Sequence, residues 1–226
     1  ACLGRMNQPV ILLDSTGRAY SLEAHTLPSA RGQGEPITGK LTLPKGATID
    51  GAIAGKEQDT VLLASDAGYG FITTIADLSS KTRSGKAALT LPKHALAMAP
   101  LAVRDRANDL LVAVTNEGRM LVFPVTDLPE LGRGKGNKII NIPSARAATR
   151  DELLTGLITL SAEDTLVVNS GRQHLKMKPS DLAHYRGDRG RRGNKLPRGY
   201  QRVDSLEVLA KAPEQEPEGA VGGSAE

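Results

Sequence analysis

Residues 61–78 read VLLASDAGYGFITTIADL. An apolar run meets a polar turn carrying Gly68, a second apolar run follows, and Leu78 closes the unit. Two such runs around a Gly-bearing turn are the pattern of a β-hairpin. The same plan recurs as ILLDSTGRAYSLEAHTLP at 11–28, LVAVTNEGRMLVFPVTDL at 111–128 and LVVNSGRQHLKMKPSDL at 166–182. The turn glycines Gly17, Gly68, Gly118 and Gly171 are 51, 50 and 53 residues apart, and the closing leucines Leu27, Leu78, Leu128 and Leu182 are 51, 50 and 54 apart. Register kept over four copies marks an internal repeat.

Each unit continues alike. A Gly-rich basic loop comes next: RGQGEPITGK from Arg31, RSGK from Arg83, RGKGNK from Arg133 and RGDRGRRGNKLPRG from Arg186. A short apolar piece ending in Pro follows (LTLP to Pro44, LTLP to Pro92, INIP to Pro143, and a truncated KLP to Pro197), then a further apolar run such as LLTGLITL from Leu153. Read as strands, these pieces give about four per repeat. The fold class is therefore all-β: about four visible four-stranded blades in a propeller-like array, closed into a ring or left as an open crescent. The repeats fall near 11–60, 61–110, 111–165 and 166–211, within one domain over 1–211. VDSLEVLA from Val203 reads as the strand completing the last blade. The opening ACLGRMNQPV resembles the end of a linking run and lacks Met, which predicts a further blade upstream in a longer protein. The segment 212–226, with four glutamates among Pro, Gly and Ser, reads as an acidic disordered tail.

Composition narrows the function classes. Of 226 residues 39% are hydrophobic but only 3% aromatic, so the core is aliphatic. A single cysteine, Cys2, permits no internal disulfide. No run approaches a membrane span and no signal peptide is visible, so a cytoplasmic protein with no membrane partner is expected. The net charge is +4, yet Arg186–Arg202 alone holds seven bases and one acid. Basic tract and acidic tail together point to a polyanionic partner.

The basic loops are the candidate site. One loop per blade on a common rim would sum to a basic track suited to duplex DNA. The expected phosphate ligands are Arg31 and Lys40 in the first loop, Lys81, Arg83 and Lys86 in the second, and Arg133, Lys135 and Lys138 in the third. The fourth and most basic loop supplies Arg186, Arg189, Arg191, Arg192, Lys195, Arg198 and Arg202. Arginine presents a planar fork to phosphate oxygens, and the loop glycines allow sharp turns and close approach of backbone to a ligand.

Three phrases carry a family resemblance: PSARGQGEPITGKLTLP at 28–44, SDAGYGF at 65–71 and GKGNKIINIPSA at 134–145. They resemble the C-terminal domain of the A-type, DNA-cleaving subunit of bacterial DNA topoisomerase IV, which is paralogous to the corresponding domain of DNA gyrase. The resemblance covers about residues 3–210. It implies a β-pinwheel, in which neighbouring blades exchange strands and a basic rim binds and bends duplex DNA. It further implies that the domain is a non-catalytic part of an ATP-dependent type IIA topoisomerase. As such it would bias the choice of supercoiled or catenated substrate in decatenation, relaxation and chromosome segregation. The implied partners are bent, crossed or supercoiled duplex DNA, the N-terminal cleavage domain of the same polypeptide, and the B-type subunit of topoisomerase IV in a heterotetramer associated with the nucleoid. No cofactor belongs to this domain; ATP and Mg would act elsewhere in the enzyme. The gyrase wrapping box Gln-Arg-Arg-Gly-Gly-Lys-Gly has its nearest match in Arg191-Arg192-Gly193-Asn194-Lys195, which Gly190 precedes and Leu196 follows. That departure agrees with topoisomerase IV and with weak chiral wrapping. The cleavage tyrosine of the family follows an arginine, whereas Tyr20, Tyr69, Tyr185 and Tyr200 follow Ala, Gly, His and Gly.

Rival signals are weaker. Gly34–Lys40 fits a P-loop to its lysine, but Leu41 replaces Ser or Thr and LTLP cannot open the required helix. Gly132-Arg-Gly-Lys-Gly136 precedes IINIP, a strand, where a dinucleotide loop needs a helix. His25, His94, His174 and His184 show no metal-ligand spacing, and no metal site is expected. The competing functional class is a propeller-like scaffold whose basic loops meet an acidic protein partner.

Overall fold

The computed structural model describes residues 4–28 and 34–211; Arg31 and the acidic segment 212–226 lie outside the described residues. In chain order the strands are β1 (Pro9–Asp14), β2 (Arg18–Glu23), β3 (Ile49–Ala54), β4 (Thr60–Ala64), β5 (Tyr69–Thr74), β6 (Lys86–Ala87), β7 (Leu101–Val103) and β8 (Leu110–Thr115). There follow β9 (Arg119–Pro124), β10 (Asn137–Lys138), β11 (Leu154–Leu160), β12 (Thr165–Ser170), β13 (Gln173–Met177), β14 (Asn194–Lys195) and β15 (Ser205–Leu209). Short helices occur at α1 (Ile75–Leu78), α2 (Ser144–Ala148) and α3 (Pro179–Leu182).

The four apolar–turn–apolar segments are the hairpins β1–β2, β4–β5, β8–β9 and β12–β13, all antiparallel. In the first three the turn glycine donates its N–H to a carbonyl three residues back, Asp14, Ser65 and Thr115, at 3.0, 2.9 and 2.9 Å. The apolar run that leads to the next repeat forms β3, β7, β11 and β15, each on the outer side of its hairpin's first strand.

The fourth strand of a sheet comes from the next repeat. The orders are β3-β1-β2-β6, β10-β5-β4-β7 and β11-β8-β9-β14, so β6, β10 and β14 each complete the preceding blade. This is the strand exchange of a pinwheel. The fourth strand is thus formed by a Gly-basic loop and not by the apolar piece ending in Pro, which corrects the reading of that piece as a strand. LTLP and INIP are irregular backbone whose side chains plug the sheets: Leu41, Leu89, Ile140 and Ile142 are all buried.

The last sheet, β13-β12-β15, has three strands among the described residues. The fourth repeat also departs locally. Leu196 donates its N–H to the Gly118 carbonyl at 2.8 Å, as Ile139 does to Gly68 at 2.8 Å. After Ile139 come Ile140 and Asn141, whereas Leu196 is followed at once by Pro197, which has no N–H. No strand of the first sheet pairs with the last among the described residues, so the hydrogen bonding does not close into a ring.

The core lies between blades. Side chains alternate across a strand, so β4 sends Val61 and Leu63 toward Ile11, Leu13 and Ile53 of the first sheet. Leu62 and Ala64 of the same strand face Leu111, Ala113 and Phe123 of the third. Likewise Leu110, Val112 and Val114 of β8 pack with Leu166 and Val168 of β12. Sheets buried on both faces explain why these strands are apolar at nearly every position. The closing leucines Leu78, Leu128 and Leu182 are buried in those interblade clusters. Leu27, in the first repeat, is 39% exposed.

Candidate nucleic-acid interface

The second, third and fourth basic loops must each cross to the preceding blade before a two-residue strand can pair. Lys86 pairs with Ala19 and Ala87 with Arg18; Lys138 pairs with Tyr69 and Asn137 with Gly70; Lys195 pairs with Arg119 and Asn194 with Met120. The residue before each strand is Gly85, Gly136 or Gly193, at φ +61°, +73° and +70°. A Cβ there would lie 2.5, 2.1 or 2.5 Å from the carbonyl oxygens of Ala19, Gly70 and Met120. These glycines thus serve close approach to the neighbouring blade.

The residue after the turn glycine holds the arriving loop. Arg18 donates from Nε and Nη2 to the Ser84 carbonyl at 3.1 and 2.8 Å, and from Nη2 to Gly85 O at 3.1 Å. Arg119 donates from Nη1 to Gly193 O at 3.1 Å. In the second blade Tyr69 takes this place, with the Lys135 ammonium 4.5 Å from its ring centroid. Sequence reasoning missed Arg18, Tyr69 and Arg119. Their signal was available: each directly follows Gly17, Gly68 or Gly118 at the repeat spacing.

Successive loops are then joined in a row. The amide of Thr42 donates to Arg83 O at 2.8 Å, Thr90 to Gly134 O at 2.8 Å, and Asn141 to Arg191 O at 2.9 Å. Side chains reinforce the same seams. Arg83 donates from Nε to Lys40 O at 3.0 Å and from Nη2 to Gly39 O. Arg189 donates to Lys138 O and Arg192 to Asn141 O, both at 2.8 Å.

The expected phosphate ligands therefore divide. Lys81, Arg133, Arg186, Lys195, Arg198 and Arg202 are exposed, and their side chains make no hydrogen bond or ion pair among the described residues. Arg191 is 75% exposed and faces only the exposed Asp188 at 3.5 Å, a weak pair. Lys135 is exposed on Tyr69, and Lys86 is half-buried in β6. Lys40 donates to Thr26 O at 2.6 Å with Glu35 at 3.5 Å, and Lys138 to Asn141 Oδ1 at 3.1 Å.

Arg192 is bound inward. It lies against both carboxylate oxygens of Glu152, a side chain with no solvent exposure, with Nη2–Oε2 at 2.7 Å. Arg146 of α2 reaches the same carboxylate at 3.2 Å and Glu117 Oε1 at 2.7 Å. The hydrogen bond from Arg146 holds the Glu117 carboxyl below its usual range, and Glu117 in turn raises Arg146.

Gly34–Lys40 leads through a single 3₁₀ turn, Ile37–Gly39, into irregular backbone and not a helix. No group of three His, Cys, Asp or Glu among the described residues could hold a metal ion. No helix there is long and apolar enough to cross a membrane.

Comparison with known proteins agrees with this architecture. The family model for the DNA gyrase C-terminal domain, a beta-propeller, matches residues 59–97 and 109–167. The A-type subunit of DNA topoisomerase 4 from Pseudomonas aeruginosa is 56% identical over 208 residues, 92% of this chain and 28% of that protein. Its Escherichia coli K12 counterpart is 52% identical over 92% of this chain and 27% of its own length, so the chain spans little more than a quarter of these relatives. A solved structure of the E. coli ParC C-terminal domain superposes with TM-score 0.84 at 51% identity, covering 92% of this chain and 84% of that one. A DNA gyrase A C-terminal domain shares the fold, with TM-score 0.70 at 17% identity over 91% and 67%. The chain belongs to the family of ParC C-terminal domains, those of the A-type subunit of DNA topoisomerase IV, homologous to the C-terminal domain of gyrase A.

Proposed function

We propose that the row of basic loops binds duplex DNA through its phosphates and bends it, as a non-catalytic module of a type IIA topoisomerase. One observation carries this reading. The rungs Thr42–Arg83, Thr90–Gly134 and Asn141–Arg191 tie each loop to the repeat before it, which supports reading their exposed cations as one basic track. Charges so gathered repel one another unless an anion lies on them, and duplex DNA offers one charge per about 1.7 Å of its axis. Backbone-directed arginines and lysines hold a duplex without reading its sequence. A track crossing several blades favours DNA that can bend, because the added contacts must offset the elastic cost.

In the whole enzyme the module would present a DNA segment to the N-terminal cleavage domain of its own polypeptide, with the B-type subunit completing the heterotetramer. It would thereby bias which supercoils or catenanes are decatenated or relaxed during chromosome segregation, in the cytoplasm on the nucleoid. ATP and Mg would act in the other parts of that assembly.

Bending is tested with a ~40-base-pair duplex carrying a donor and an acceptor dye at its ends. The reading requires energy transfer to rise on binding, and supercoiled plasmid to compete better than linear plasmid of equal length. Binding with no change in transfer and no topological preference would reject it.

A further inference from the structure

We infer that Glu152 is the positioning residue of the most basic loop, acting through Arg192. This rests on the DNA-binding reading of the same loop and explains how its cations are held ready. Among the described carboxylates, Glu152 is unusual in being fully buried while two guanidinium groups converge on it, Arg192 from the fourth repeat and Arg146 from the third.

The sequence separation is what gives the contact its effect. Glu152 precedes β11 in the third repeat and Arg192 lies 40 residues later, directly before Gly193 and the exchanged strand β14. The pair therefore ties the incoming loop to the blade that receives it. On one side of Arg192, Arg191 accepts the Asn141 amide through its carbonyl; on the other, Gly193 accepts Arg119. With the guanidinium fixed at the centre, Arg191 and Lys195 on either side point outward and are exposed. A loop of seven bases and one acid repels itself, and one of its arginines is neutralised from within by a carboxylate that solvent does not reach. A charged group buried with two partners is strongly disfavoured once they are removed, so the arrangement selects one loop conformation.

Electrostatics alone and positioning give opposite signs. Glu152→Gln makes the chain one charge more positive, so a purely Coulombic rim would bind DNA more tightly. Positioning predicts weaker binding, with the slope of log K against log salt shallower by about 1 or more, as phosphate contacts are lost. Arg192→Lys leaves net charge unchanged but loses the planar fork; it should shift the slope the same way, and it spares the buried carboxylate should Glu152→Gln fold poorly. Trypsin supplies a readout without DNA: cleavage after Arg189 and Arg191 should be faster in both variants than in the native chain, compared at temperatures equally far below each protein's Tm. Native cleavage rates together with equal or tighter DNA binding in both variants would overturn the inference. If the native chain fails to bind DNA, the functional reading falls, while the trypsin result still decides whether Glu152 positions the loop.

Discussion

The backbone amide of Asn141 donates to the carbonyl of Arg191 at 2.9 Å, joining the third repeat's buried INIP piece to the centre of the fourth repeat's basic loop. Thr90–Gly134 and Thr42–Arg83 repeat the bond one and two blades earlier. The donor is always the second residue of the tetrapeptide that ends in Pro. The apolar piece therefore does two things: its Leu and Ile side chains fill the core, and the amide between them fixes where the next loop runs.

Those rung amides should exchange slowly. In native-state hydrogen exchange, Thr42, Thr90 and Asn141 should be protected well beyond exposed loop amides. Exchange of all three at the rate of an unstructured peptide would mean that the loops are not held in a row.

Gly136→Ala should break the second strand exchange. The new Cβ would sit 2.1 Å from the Gly70 carbonyl oxygen in a backbone held at φ +73°. A loss of about 2–3 kcal/mol in urea unfolding is expected. Gly39→Ala meets nothing within 4 Å and serves as the near-neutral control. Equal midpoints for the two variants would contradict the described approach of β10 to β5.

Acid should break the Glu117–Arg146 pair within the third repeat. Arg146 holds the Glu117 carboxyl below its ordinary value of 4.5. A depressed carboxyl contributes stability that is fully present above that ordinary value and is lost as pH falls through the lower folded one. Thermal unfolding followed below pH 4.5 should therefore show a steeper decline in the native chain than in Glu117→Gln, and parallel curves would refute it.

Much of the fold was legible because the repeat is short-ranged in sequence. The Gly17, Gly68, Gly118 and Gly171 spacing located all four hairpins, and the Val203 run proved to be β15. Strand exchange was implied by the family resemblance, whereas the fourth strand of each repeat was read in the wrong piece, LTLP or INIP in place of the basic loop. LTLP looks like a strand because apolar Leu alternates with β-branched Thr, yet pairing is decided by a neighbour's free edge, which a local pattern does not display. The site divides in the same way. Charge and glycine content marked the loops, but they did not distinguish Arg191, which faces solvent, from Arg192, which lies on Glu152. That distinction depends on a carboxylate 40 residues away that looks in sequence like any surface acid.

The proposed function requires the exposed cations of the fourth loop to carry DNA affinity. It is tested most directly by the salt dependence of binding to a ~40-base-pair duplex, for the native chain and for a variant with Arg186, Arg191, Lys195 and Arg198 changed to Ala. The account predicts a steep native slope, near −0.9 per phosphate neutralised, that becomes shallower by about 3 or more in the variant. Equal slopes for the two proteins, or a flat native slope, would contradict it.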